Sequence, residues 1–369
     1  MHIRLKNKIL LEILSSIKGV VPSRPAFPIQ SMVLLVPEEG GCYFYTQGPE
    51  AQMRYFSPDI KIEKPEKKLT SVSRVFEISR NFPEDSEISL KFSGDSLQVS
   101  CEGGQYKLKS LPSDDFPLMN EPEKKNIVKL PEKEIKNLLE KTDFCIALQD
   151  PRHYLNGLLL SLNDKKLSAV STDSHRLALS SVATSNTGKA EGILPRDIVA
   201  EAKRILSDTE QTAEIGITPQ NISISLQNIQ ILAKALNGQF PEYEKIIPRD
   251  FSIDITLNRE EFLRSLQRAS AILASSFSEE VMYVSLIFSN KELLVKSRNP
   301  DGEEAEVKQK TQYEGKEFEI AFNSRYLQDV MKALDTEKVS LQIRDSSSGV
   351  RIIGYGSTTE EYVVMPLRL

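Results

Sequence analysis

The same order of hydrophobic and polar positions recurs three times along the 369 residues, at a period of about 125. Each copy opens on an amphipathic helical stretch. These are residues 6–18, with Ile9, Ile13 and Ile17 on one side; 131–142, with Ile135, Leu138 and Leu139; and 258–269, with Phe262, Leu263 and Leu266. An apolar strand follows some 25 residues after each start, over 31–36, 156–162 and 283–289. A second helix then enters at Ser71, Pro195 and Asn323, residue types suited to an N-cap or a first turn. Its apolar faces are Val72, Val75 and Phe76; Ile198, Val199, Ala202 and Ile205; and Leu327, Val330, Met331 and Leu334. Each copy closes on an alternating hairpin. Ile88, Leu90 and Phe92 turn through Gly94; Ile215 and Ile217 turn through Pro219; Val339, Leu341 and Ile343 turn through Gly349.

Helix, strands, helix, strands in triplicate predicts an α+β chain of three similar domains, over 1–122, 127–248 and 251–369. The linkers at 120–126 and 248–250 are charged or proline-bearing. A unit of this size can bury its own core, so the repeat is not a solenoid, and three such domains in a row suit an arc.

Residues 169–180 read as strand, turn, strand: Val170 before the turn, Leu177 and Leu179 after it, and 172–176 as the turn itself. Two distant segments are expected to meet it, 238–248 and the last eight residues. A tail reading Tyr-Val-Val-Met-Pro-Leu-Arg-Leu gains by docking. Val363, Val364 and Leu367 are expected in a terminal core strand, with Met365, Pro366 and Leu369 facing a groove. Asp173, Ser174 and His175 offer the residue types of a hydrolase triad, but three adjacent turn residues cannot let a histidine bridge the other two. No Gly-x-Ser-x-Gly elbow occurs.

The chain is 40% hydrophobic and 27% charged, an ordinary globular balance, and its net charge is −5. That total argues against a simple basic DNA-binding domain. The six helical stretches nevertheless carry +6 together, leaving −11 elsewhere. A cationic helical layer in an acidic body is what a protein encircling a polyanion needs, since it attracts phosphates without reading bases. Cys42, Cys101 and Cys145 are widely separated and fit a reducing cytoplasm better than a disulfide framework. His2, His153 and His175 share no ligand-like spacing, so neither metal nor cofactor is expected. Glu12 interrupts the apolar run of the N-terminus, which reads as a helix rather than a signal peptide, and no run reaches a membrane span.

The string Thr172-Asp173-Ser174-His175-Arg176-Leu177-Ala178 carries a resemblance, together with Tyr154-Leu155-Asn156-Gly157, Gln239-Phe240-Pro241-Glu242-Tyr243 and Tyr362-Val363-Val364-Met365-Pro366-Leu367-Arg368-Leu369. In order and spacing, over the whole chain, these resemble the bacterial DNA polymerase III beta subunit family, the sliding clamps. The sequence departs from the family at Ser174, where glycine is usual, at His153, often aromatic, and at Glu244, commonly basic. The resemblance implies a non-enzymatic processivity factor of the DNA clamp fold. It would be a head-to-tail homodimeric ring, with helices lining a hole for duplex DNA, in the bacterial cytoplasm at the nucleoid.

The same resemblance supplies candidate sites. DNA contacts would be Arg24, Gln149, Arg152, Tyr154 and Arg196. The dimer contact would join Tyr106 and Lys107 to Ile272, Leu273, Glu303 and Glu304, with Ile272 and Leu273 alternatively belonging to the intradomain core. A groove for short linear peptides of the DNA polymerase III alpha subunit, other polymerases, the clamp loader and repair proteins would be lined by Leu155, Thr172, Ser174, His175, Arg176, Leu177, Pro241 and Ile246. Asn323 and Tyr326 would border it, and Val363, Val364, Met365, Pro366, Leu367, Arg368 and Leu369 would form its other wall. Arg176 would either hold a peptide carbonyl or fix the terminal segment. A monomeric peptide-binding scaffold unrelated to DNA is the remaining alternative, and it predicts neither dimer nor retention on circular DNA.

Overall fold

The computed structural model describes residues 1–58, 60–120, 126–275 and 283–368. Its α-helices are α1 (Asn7–Ile17), α2 (Val72–Ser79), α3 (Glu132–Glu140), α4 (Arg196–Ile205), the short α5 (Tyr243–Ile246), α6 (Arg259–Ala269) and α7 (Ser324–Ala333). Six of these are the helices expected from the periodicity. Ser71, Asn258 and Asn323 cap α2, α6 and α7 by accepting the backbone N–H of Arg74, Glu261 and Arg325. Each cap satisfies an orphan donor and is worth about 1 kcal/mol. One expected face is shifted. In α1 the buried set is Leu10, Ile13, Leu14 and Ile17, while Ile9 is 38% exposed. The i, i+3, i+4, i+7 spacing from Leu10 fills the core stripe and turns Ile9 outwards.

By contact density the chain forms two compact units, Met1–Lys136 with Thr184–Leu236, and Asn137–Ala183 with Asn237–Leu369. The middle repeat is therefore divided, half with each neighbour. In the first unit a 13-stranded sheet runs through the N-terminal repeat and on into the middle one. Its joint is the antiparallel pairing of Ala51–Pro58 with Ile229–Lys234, where Met53 faces Ile231 and Ala51 faces Ala233. All four are at most 1% exposed. Helices α1 and α2 pack on each other beside this sheet.

The second unit repeats the device with different strands. Gly157–Asn163, Lys166–Thr172 and Arg176–Ala183 form a meander, and Arg176–Ala183 then pairs with the last strand of the chain, Glu360–Val364. That strand pairs on its other edge with Val350–Gly354, followed by Lys338–Ile343 and Ile253–Asn258. A four-stranded sheet, in the order Glu304–Lys310, Glu292–Arg298, Tyr283–Ser289 and Phe318–Asn323, completes the unit. Phe262 and Leu266 of α6 and Leu327, Val330 and Met331 of α7 share one core with Leu286, Phe288, Ile320, Leu341 and Tyr362.

Candidate peptide groove and nucleic-acid surfaces

The turn between Lys166–Thr172 and Arg176–Ala183 is built by its own side chains. Thr172 Oγ1 donates to the Arg176 carbonyl at 2.7 Å and accepts the Ser174 N–H at 3.1 Å. Asp173 Oδ1 accepts the N–H groups of His175 and Arg176, both at 3.0 Å. This is the local side-chain to backbone bonding that makes Thr and Asp turn residues. Ser174 sits at φ +76°, a left-handed conformation that a side chain disfavours. The carboxylate of Asp173 is thus held by the turn, as the adjacency of the three polar residues implied.

Arg176 is the anchor of the region. Its Nε donates to Asp173 at 2.9 Å, its Nη1 to Asp329 of α7 at 2.7 Å and its Nη2 to the Phe144 carbonyl at 2.6 Å. The guanidinium lies 4.3 Å from the Tyr326 ring centroid, and its side chain is 11% exposed. These bonds tie the turn to α7 and to the Phe144 carbonyl.

Val364 lies opposite Arg176 and Val363 opposite Leu177. Beyond the strand, Met365 N–H donates to the His175 carbonyl at 2.8 Å and Leu367 N–H to the Ala321 carbonyl at 2.8 Å. Met365 is 39% exposed, Pro366 and Leu367 are half-buried and Arg368 is exposed. Leu369 lies outside the described residues. Exposed Ser174 and His175 and half-buried Asn323 and Tyr326 accompany them, with the His175 and Tyr326 rings stacked 6.4 Å apart. A Cβ on Gly349 would come within 3.0 Å of Met365 Sδ, so the missing side chain there leaves Met365 its seat.

Leu155, Thr172, Leu177, Val363 and Val364 are buried. Leu177, Val363 and Val364 lie in strands paired on both edges, Thr172 pairs with Leu177, and Leu155 ends the short 3-10 turn His153–Leu155, so these side chains are packed within the second unit. The burial of Val363 and Val364 and the exposure of Met365 agree with the core-strand expectation for the tail; Tyr362 joins the core, and Leu367, expected with it, is only half-buried. Pro241 is half-buried, and Ile246 of α5 is 44% exposed.

Sequence reasoning missed Lys141. Its buried ammonium is bonded to Glu360, the first residue of the terminal strand, and to Asp335 at 3.0 Å. Burial acts to lower its pKa, but the two carboxylates more than offset this and hold it above the ordinary lysine value. Nothing in the local sequence marks this lysine, because its partners lie about two hundred residues away.

The candidate DNA contacts are on loops and a helix start. In the first unit Arg24 and Arg196 are exposed, the latter in the first turn of α4. In the second, Gln149 is exposed at φ +55°, and Tyr154 is half-buried, its ring occupying the space where a Cβ on Gly238 would stand. Arg152 is exposed but bonded to Asp150 at 2.9 and 2.8 Å, and the guanidinium holds the Asp150 carboxyl down at about 2. A phosphate at Arg152 would compete with that carboxylate. A concavity of about 420 Å³ beside α6, lined by Glu260, Glu261, Arg264 and Arg268 among others, mixes both signs of charge and offers no apolar anchor.

The candidate interface residues divide similarly. Tyr106 and Lys107 are exposed on Gly104–Leu111, a strand paired along one edge and joined on the other only at Ser110 and Leu111. Glu304–Lys310 is an edge strand among the described residues. Leu273 is 5% exposed, as the intradomain reading requires, while Ile272 is half-buried. Glu303 is bonded to Asn299, and Glu304 lies 3.6 Å from Lys296 and 3.7 Å from Arg298. The acidic face is thus partly neutralised within the chain.

Family profiles of the DNA polymerase III beta subunit match end to end: its N-terminal domain over residues 1–120, its central domain over 129–242 and its C-terminal domain over 244–368. The chain belongs to the DNA polymerase III beta subunit family. Relatives named beta sliding clamp include that of Pseudomonas putida, 32% identical over 374 residues, and that of Escherichia coli K12, 30% identical over 372, each covering 100% of both chains. The crystal structure of the DNA polymerase III subunit beta from Pseudomonas aeruginosa superposes with a TM-score of 0.95 at 28% identity, covering 100% of both chains. A sliding clamp from the same organism, solved bound to griselimycin, gives 0.94 at 28% identity and the same coverage. The three-domain α+β clamp fold follows. No described helix is long and apolar enough to cross a membrane.

Proposed function

We propose that this member of the DNA polymerase III beta subunit family is a sliding clamp. Two copies close head to tail into a ring around duplex DNA, and the ring tethers the DNA polymerase III alpha subunit at the primer end. Tethering raises effective concentration and needs no catalytic group, so the chain acts without turnover in the bacterial cytoplasm. The match of all three family domains carries this reading. The edge strands Gly104–Leu111 and Glu304–Lys310 support the closure, since each offers unpaired backbone to a second copy and two identical contacts close a ring.

The groove serves exchange. His175, Tyr326, Ile246 and Met365 offer an accessible apolar and aromatic surface beside Ser174, Asn323 and Arg368. Such a site takes two or three side chains of a short peptide with modest affinity, which suits a platform shared by polymerases, clamp loader and repair proteins. The ring is tested by loading the protein onto closed circular DNA with its cognate clamp loader, then linearising the circle in high salt. Retention on circles and loss from linear ends is the expected result. Once loading is verified, equal retention on both would replace topological binding with ordinary electrostatic contact.

A further inference from the structure

Two loops carry the same unusual combination. In the first unit Phe27 is 66% exposed, three residues from the exposed Arg24 and flanked by Pro28. The loop is tied from within, because Gln30 Oε1 accepts the N–H groups of Ala26 at 3.0 Å and Phe27 at 3.3 Å. In the second unit Leu148 is 74% exposed, next to Gln149 in its left-handed conformation. Here the Asn156 side chain closes the loop, accepting the Asp150 N–H at 2.8 Å and donating to the Asp150 carbonyl at 2.8 Å. Both loops therefore hold a large apolar side chain in water on a backbone that is already ordered.

An apolar tip kept exposed this way gains nothing for the fold, since burial is what stabilises such side chains. Each tip stands beside a group suited to the sugar-phosphate backbone, a guanidinium in one loop and an amide in the other. Cation or amide with an adjacent apolar or aromatic surface is the chemistry that meets nucleic acid, the polar group at phosphate and the apolar one against sugar or base. We infer that Phe27 and Leu148 are apolar DNA contacts, which pack against sugar edges of the encircled duplex and add a component of binding that salt does not screen. This rests on the clamp reading and deepens it, because a ring held to DNA by phosphates alone would lose all its contact as ionic strength rises.

The two kinds of contact separate in a salt titration. Binding of the dimer to a short fluorescent duplex is measured across salt concentrations for wild type, Phe27→Ala, Leu148→Ala and Arg24→Ala. Phe27→Ala is expected to weaken binding about fivefold at every salt concentration, leaving the slope of log affinity against log salt unchanged, and Leu148→Ala by a smaller factor with the same slope. Arg24→Ala is expected to reduce that slope by about 0.9. Unchanged affinity in both tip variants, or a changed slope in either, overturns the inference. Both side chains are exposed, so unchanged melting temperatures are expected and confirm that fold loss is not being read. Retention of the loaded wild-type protein on circular DNA is scored in parallel. If wild type fails there, the clamp reading has failed; if it is retained while the tip variants bind DNA normally, only this inference has.

Discussion

Both compact units solve the same problem, carrying a sheet from one repeat into the next, and they solve it with different chemistry. The joint of the first unit pairs two internal strands, and Met53, Ile231, Ala51 and Ala233 make it dry. The joint of the second uses the last strand of the chain, Glu360–Val364, and surrounds it with charge. Arg176 binds Asp173 and Asp329, Lys141 binds Glu360 and Asp335, and Arg249 binds Glu361 at 2.7 Å. A joint made of apolar burial is tolerant of its exact register of polar groups. A joint made of buried, hydrogen-bonded charges is geometrically exacting, because each member is costly when unpartnered. The second unit carries the candidate groove, whose walls must hold a fixed shape while Met365 and His175 stay accessible.

The largest effect is expected from breaking the charged joint. Arg176→Ala leaves Asp173 and Asp329 without their shared cation in a site only 11–24% exposed, which costs about 3–5 kcal/mol. Denaturant unfolding followed by hydrogen exchange should show the loss in Arg176–Ala183 and Glu360–Val364, with Ala51–Pro58 still protected. Full protection of both strands of the second joint would show that Arg176 is dispensable to it. Met53→Ala is the counterpart in the dry joint. Removing a fully buried thioether side chain costs about 2–5 kcal/mol, at the lower end where neighbours such as Ile231 can close in. That loss should appear in Ala51–Pro58 and Ile229–Lys234 and leave peptide binding at the groove unchanged, whereas Arg176→Ala should impair it.

How much of this the chain announces depends on the range of the interaction. Helix faces and hairpins are set by side chains three, four or two apart, so the triplicate pattern located α1 to α4, α6 and α7 and even the caps at Ser71 and Asn323. The one misplaced stripe, at Ile9, came from choosing a fourfold spacing where Leu10, Ile13, Leu14 and Ile17 make a better-packed face. The docking of the tail on the turn was legible from its composition. So was the change from core to accessible at Met365. Its pairing register was not, because setting Val364 opposite both Arg176 and Val350 joins segments that no local window contains. Lys141 and the partnering of Arg152 by Asp150 were invisible for opposite reasons. The first depends on residues two hundred positions away; the second lies two positions away but in a loop whose geometry has no period.

Smaller effects probe the accessible edge of the charged joint. Met365→Ala should weaken binding of a linear clamp-binding peptide by about 1–2 kcal/mol, the value of a Met-sized apolar contact, and change stability little because the residue is 39% exposed. Fluorescence anisotropy with a labelled peptide measures it. An unchanged affinity would move the groove away from the terminal segment.

The smallest expected effect is at Ser174, and it has a definite sign. Its φ of +76° places a Cβ in the left-handed region, at a cost of about 1–2 kcal/mol that glycine avoids. Glycine also enlarges the conformational freedom of the unfolded chain, which takes back about 0.4–1 kcal/mol. The N–H of residue 174 still reaches Thr172 Oγ1, since that bond is made by the backbone. Ser174→Gly should therefore raise stability by a few tenths of a kcal/mol to about 1 kcal/mol. A matched pair of denaturation curves with unchanged slope checks it. Destabilisation instead would mean that the exposed hydroxyl makes a contact worth more than the strain, and a binding assay with the same peptide would then show whether that contact belongs to the groove.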